Sequence, residues 1–200
     1  MGIVIGLTGS IATGKSTVSL MFEEYNIPVV DADKLSRKVV EPGREAYNQV
    51  VSVFGEGILR DDRTLDRKAL GEIVFNDEGK RKQLNDIVHP AVRQEMVRER
   101  DRYLDRGDKA VVLDIPLLFE SNLTGYVDKT LVVAVDEEVQ LQRLMERDES
   151  SKEEALSRIR SQLSITEKVR MADEVIDNNG SKRETYDQLE AILRQWNILS

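Results

Sequence analysis

Apolar residues along this chain fall into two kinds of run. Ile3-Val4-Ile5-Gly6-Leu7, Ala110-Val111-Val112-Leu113 and Thr130-Leu131-Val132-Val133-Ala134-Val135 are short and almost unbroken, the pattern of strands buried on both faces of a parallel sheet. Val29-Val30 opens a similar run that ends in two acids, Asp31 and Asp33, and Glu174-Val175-Ile176-Asp177 is a weaker one. Elsewhere apolar residues recur at helical spacing, over 17–25, 34–40, the segment carrying Val139, Leu141, Leu144 and Met145, 153–163 and 185–196. Asp136 is placed to cap the third of these. The opening order of strand, helix and strand predicts a right-handed crossover, hence a parallel sheet.

From 44 to 106 the alternation stops. Ala46, Tyr47, Val50 and Phe54, then Leu65, Leu70 and Ile73, then Val88, Val92 and Met96 all read as helix, with a loop rich in glycine and acids over 55–63. The pattern predicts an inserted helical subdomain, residues 43–107, within one α/β domain spanning 1–200, and such an insert is a natural carrier of substrate specificity. A polar break near 147–152, flanked by helices, predicts a lid over 143–165. Trp196 lies on the apolar side of the last helix and is expected in the core.

Composition narrows the function classes. With 200 residues, 40% hydrophobic and 33% charged, the chain can bury a sizeable core. A net charge of −8 and a pI near 4.9 argue against general nucleic-acid binding, which needs a basic surface. There is no cysteine, so thiolate chemistry and disulfides are excluded. The first residues lack a basic region, and no run approaches bilayer length, so the expectation is a cytoplasmic chain that uses no membrane; the sequence leaves its state open between a monomer and a small homo-oligomer.

The sharpest chemical signal is Gly9-Ser10-Ile11-Ala12-Thr13-Gly14-Lys15-Ser16, which satisfies G-x-x-x-x-G-K-[ST]. Its glycines allow successive backbone N–H groups to point at phosphate oxygens, Lys15 brings a mobile positive charge, and the Ser16 hydroxyl suits Mg²⁺. A strand before the loop and a helix starting near Thr17 supply the setting this motif requires. The motif predicts ATP-type phosphate binding without naming the acceptor. Asp33 and Asp31, at a strand end beside the loop, could orient or deprotonate an attacking hydroxyl, or one of them could cap the next helix. Asp114 ends the third strand, either near Mg²⁺ or as a cap. Ile115-Pro116-Leu117-Leu118-Phe119-Glu120 either packs beneath the insert or lines a pocket, packing being favoured. Arg143 and Arg147 share a helix face; spacing alone favours a solvated charged face over phosphoryl contacts. His89, the single histidine, precedes Pro90 and is expected in an extended or turn conformation before a helix, in a structural role.

Taken in order, GLTGSIATGKST, VVDADKLSRKVV, TLDRKALGEIVF, IVHPAVR, DIPLLFES, QLQRLMERD and ADEVIDNNGS resemble the dephospho-coenzyme A kinase family over nearly the whole chain. The resemblance implies a three-layer P-loop kinase fold with a central parallel sheet, inserted helical substrate subdomain and helical lid. It also implies transfer of the γ-phosphoryl group of ATP to the ribose 3′-hydroxyl of dephospho-coenzyme A. Asp33 falls on the family's hydroxyl-activating acid, Arg143 and Arg147 on lid arginines, and Asn178 to Gly180 on the loop beside adenine. Thr8, His89 and the run containing Leu117 fall in its substrate-side pattern. The family often carries Gly where this chain has Arg63, a difference expected to alter one turn. Another small-metabolite kinase would share the P-loop and lid, so only the acceptor site separates the two readings. A guanine-nucleotide switch would need an N-K-x-D motif that the chain lacks.

Overall fold

Side chains of β1 (Ile3–Gly9) alternate between two buried surfaces, so this strand must lie inside the sheet. The structure, a computed structural model, describes residues 2–200. Among the described residues five strands form one sheet, ordered β2 (Val29–Asp31), β3 (Ala110–Asp114), β1, β4 (Lys129–Ala134), β5 (Glu174–Asp177). β1 runs parallel to β3, with Leu7 opposite Asp114, and parallel to β4, with Gly9 opposite Val133; β4 runs parallel to β5. All five residues of β3 are buried, the four apolar ones as their unbroken run requires and Asp114 with them.

On one face, α1 (Lys15–Glu24) and α9 (Lys182–Gln195) set Val18, Met21, Phe22, Leu189 and Leu193 against Ile5, Leu7, Leu131 and Val133. Trp196 joins this core, as its position predicts. On the other face Phe119, Val132 and Ile165 pack together beneath α8 (Ile165–Met171). Helix, sheet and helix make the three layers. The chain leaves β1 for one side of the sheet and later crosses to β4 on the other, so the carboxyl end of β1 lies at a topological switch point, where open α/β sheets bind ligands.

The chain divides into two compact units: the segment through Val30 with Arg100–Ser200, and Asp31–Glu99. The second unit holds α2 (Ala32–Lys38), α3 (Glu45–Phe54), α4 (Arg67–Phe75) and most of α5 (Glu78–Asp105), around a core of Val39, Tyr47, Val50, Ile58, Leu65 and Leu70. Within it the 55–63 loop forms a 3₁₀ turn at Glu56–Ile58, then an antiparallel bridge between Leu59 and Leu65 closed by a tight turn. Arg63 sits in that turn at φ +68°, where a residue without Cβ avoids a cost of about 1–2 kcal/mol. Glu95 is buried in this unit and held by Lys38, which keeps its carboxyl below the usual range despite burial.

Three expectations need correction. His89 and Pro90 lie inside α5, not in a turn ahead of a helix. Proline there removes one backbone N–H and costs about 3 kcal/mol, but Ile87, Val88, Ala91 and Val92 pack on the core of this unit and carry the helix through. β2 stops at Asp31, so Asp33 lies in the first turn of α2 rather than at a strand end, because the Asp31 carboxylate caps that helix by accepting from Lys34 N at 2.9 Å. The helix expected over 153–163 is α7 (Lys152–Arg160), which ends earlier, and a separate helix, α8, follows it. Ser151 with Glu154, and Ser164 with Glu167, form capping boxes that start both helices.

Candidate active site

Loop 9–16 follows β1 and runs directly into α1. A Cβ on Gly9 would lie 2.7 Å from Thr13 Oγ1 and 2.9 Å from the Val133 carbonyl, so the tight entry to the loop requires glycine. Gly14 sits at φ +89° just before the helix, with the Asn178 amide packed against it. The first turn of α1 carries no carboxylate and, among the described residues, no side chain caps it, so the helix N-terminus keeps its partial positive charge for phosphate. Gly14→Ala forces a left-handed alanine and displaces Asn178. We expect Tm to fall by about 5 °C or more and ATP affinity by about tenfold, read by thermal unfolding and nucleotide titration.

Side chains from distant segments hold the loop. Asn178 Nδ2 donates to Thr13 O at 2.8 Å while its Oδ1 accepts from Thr185 Oγ1 at 2.7 Å. Gln140, buried on α6 (Glu137–Asp148), donates to Ser10 Oγ at 2.9 Å and Ile11 O at 2.8 Å. Gln162 Oε1 accepts from Ser10 Oγ and Ile11 N at 3.0 and 3.1 Å. Lys168 Nζ donates to Gly9 O at 2.8 Å. The shape of the loop is therefore held by bonds that no phosphate has to make.

Charged groups converge at the same strand ends. Lys15 Nζ pairs with Asp114 Oδ1, whose side chain is 5% exposed, and Ser16 stands exposed beside Lys15. Arg143 Nη2 donates to the Asn178 carbonyl at 3.0 Å, which joins α6 to the 178–180 turn. Asn179 locks that turn by accepting from Asp136 N at 2.9 Å and donating to Asp177 at 2.7 Å. Asp136 holds the cap position of α6, but its carboxylate serves Asn179 instead of the helix. Arg147 turns to Asp148, with Nε at 2.8 Å from Oδ1 and Nη2 at 3.0 Å from Oδ2, and Arg158 joins the same carboxylate. These guanidinium bonds, Arg147's first, pull the Asp148 carboxyl down to about 2.

A strand, P-loop and helix with a lysine on a buried strand-end acid are shared by many phosphotransferases, and comparison with known proteins decides among them. Residues 3–184 match the family described as Dephospho-CoA kinase. The chain belongs to the dephospho-CoA kinase family. It is 59% identical over 199 residues to the dephospho-CoA kinase of Bacillus cereus (strain ATCC 10987), covering 100% of both chains. Among solved structures it resembles TT1252 from Thermus thermophilus, with 36% identity, TM-score 0.80 and 97% of each chain covered. It also resembles dephospho-CoA kinase from Campylobacter jejuni, with 32% identity, TM-score 0.76 and 98% of each chain covered. The P-loop kinase fold and the kinase activity expected of the chain both stand. Among the described residues no helix is long and apolar enough to cross a membrane.

For a member of this family, the expected site residues are distributed over the two units. Lys15, Ser16, Asp114, Arg143 and Asn178 share the first unit with the P-loop. Thr8 is buried and donates to Pro116 O at 3.1 Å, so it braces the strand end. Leu117 is 40% exposed, whereas Leu118 and Phe119 are buried, so the apolar run is largely core. Gly180 lies against the Glu184 carboxylate of the α9 capping box. Asp33 and His89 belong to the second unit, and both are exposed. Gln162 and Lys168 lie in no motif, and Gln140 opens the QLQRLMERD run without any role having been assigned to it. The available signal was a polar residue on an otherwise apolar helix stripe, as with Gln140 beside Leu144 and Lys168 beside Ile165 and Val169.

Proposed function

We infer that this chain transfers the γ-phosphoryl group of ATP to the ribose 3′-hydroxyl of dephospho-CoA, giving CoA and ADP. Family membership over nearly the whole chain carries the reading, and the preformed P-loop supports the ATP half of it. In our assignment the amides of loop 9–16 and of Thr17 cradle the phosphates, and Lys15 moves from Asp114 to the transferring group, where positive charge stabilises the transition state. Arg143 and Arg147 act from the lid, residues 143–165, the latter after release from Asp148. The 178–180 turn adjoins adenine. Asp33 orients or deprotonates the acceptor hydroxyl; Thr8, His89 and Leu117 are assigned to the acceptor side, His89 from the helical insert, residues 43–107.

A hydroxyl from Ser16 and a carboxylate from Asp114 form an all-oxygen pair that suits Mg²⁺, which takes few protein ligands and keeps water and phosphate oxygens. The ion would neutralise charge on the phosphates. We place the activity in the cytoplasm, on small molecules, with a monomer or small homo-oligomer; the net charge of −8 speaks against a nucleic-acid partner.

The deciding experiment is ADP release with dephospho-CoA compared against nucleoside monophosphates and small alcohols. We expect kcat/KM for dephospho-CoA to exceed every other acceptor by about 10²-fold or more, because a site that binds polar groups rejects analogues lacking them. Preference for a different acceptor would overturn the substrate and leave the kinase reading standing.

A further inference from the structure

Lys168 has an exposure of 0%, and burying an ammonium costs several kcal/mol unless its geometry compensates. Here the geometry is complete. Its three N–H donors meet three acceptors: Gly9 O at 2.8 Å, Glu120 Oε1 at 2.8 Å and Pro116 O at 3.4 Å. Only the charged form supplies three donors. The partners are braced in turn, since Pro116 O also accepts from Thr8 Oγ1 at 3.1 Å and Glu120 Oε1 from Leu163 N at 3.2 Å.

The acceptors lie on the two segments that bound the nucleotide site. Gly9 opens the P-loop, which carries Lys15; Pro116 and Glu120 lie on the segment that follows Asp114. Ile115 N donates to Leu7 O at 2.9 Å, so the backbone already joins the strands just below this point. Beyond it, where both chains leave the sheet, the Lys168 ammonium takes over the task. Apolar residues of equal volume often replace a buried ion pair with no loss of stability, so fold stability alone does not call for a lysine here.

We propose that Lys168 is a positioning residue for phosphoryl transfer, its ammonium fixing the start of the P-loop against the segment after Asp114 so that Lys15 and Asp114 stay in register. The proposal rests on the kinase reading. Small misplacements remote from the reacting atoms can cost about 10²-fold, and they act more on the transition state than on bound substrate. Lys168→Met keeps the length of the side chain and removes its charge. The test compares steady-state kinetics and Tm of wild type, Lys168→Met, Glu120→Gln and the double variant. We expect Lys168→Met to lower kcat by about 10- to 100-fold with KM for ATP changed by less than about threefold. Glu120→Gln should give a smaller fall in kcat, and the double variant should fall no further than Lys168→Met alone.

A lower Tm with kcat unchanged, a rise in KM alone, or multiplicative effects of the two changes would overturn the proposal. Should Lys168→Met fail to fold, Glu120→Gln decides by itself: reduced kcat in the folded variant supports it, and unchanged kcat overturns it. Wild-type turnover with dephospho-CoA, measured alongside, tests the kinase reading separately.

Discussion

Asp33→Asn lowers turnover by about 10²- to 10⁴-fold and leaves ATP affinity unchanged, the size expected for loss of a general base. The structure separates the two neighbouring acids by their work. Asp31 is spent on capping α2, whereas among the described residues the Asp33 carboxylate makes no hydrogen bond or ion pair and only its backbone carbonyl is engaged, by Ser36 Oγ at 2.8 Å. Asparagine has the same shape and fits the same first turn. Its folding cost is limited to the lost attraction between a carboxylate and the helix N-terminus, about 0.3–1 kcal/mol. Steady-state kinetics with both substrates, with ATP affinity from titration calorimetry, make the check. Undiminished turnover would remove Asp33 from acceptor activation.

Lys15→Ala reduces kcat/KM for ATP by about 10²- to 10³-fold or more, through both a raised KM and a lowered kcat, because the ammonium attracts phosphate in the ground state and more strongly as charge develops. A second effect comes from the ion pair. Lys15 and Asp114 side chains are 19% and 5% exposed, so removing the lysine deprives a buried carboxylate of its cation and lowers Tm. Thermal unfolding beside single-turnover kinetics separates the two contributions. Full activity at limiting ATP would contradict the assignment of Lys15.

Much of the fold was legible because its rules are local. β3 reads as buried from four successive apolar positions, and loop 9–16 announces phosphate binding because glycines, lysine and serine at that spacing have few other uses. Local rules also misled. The preference of a residue before proline for extended backbone argued for a turn at His89, and packing of Ile87, Ala91 and Val92 overrode it. Asp31 and Asp33 were both candidates for work on the acceptor, and the start of α2 at Ala32 makes Asp31 a helix cap.

By itself, the sequence of this protein determined the parallel α/β class, the phosphate-binding loop and, through its ordered motifs, the family, since periodicity, turn chemistry and motif spacing act between near neighbours. The tertiary structure decided what holds the loop in shape. Gln140 reaches Ser10 across 130 residues, Lys168 reaches Gly9 across 159, and Asn178 reaches Thr13 across 165. No local pattern encodes such bonds. They exist because a parallel sheet brings the carboxyl ends of β1, β3, β4 and β5 together, and buried polar groups there must find partners or forfeit their solvation.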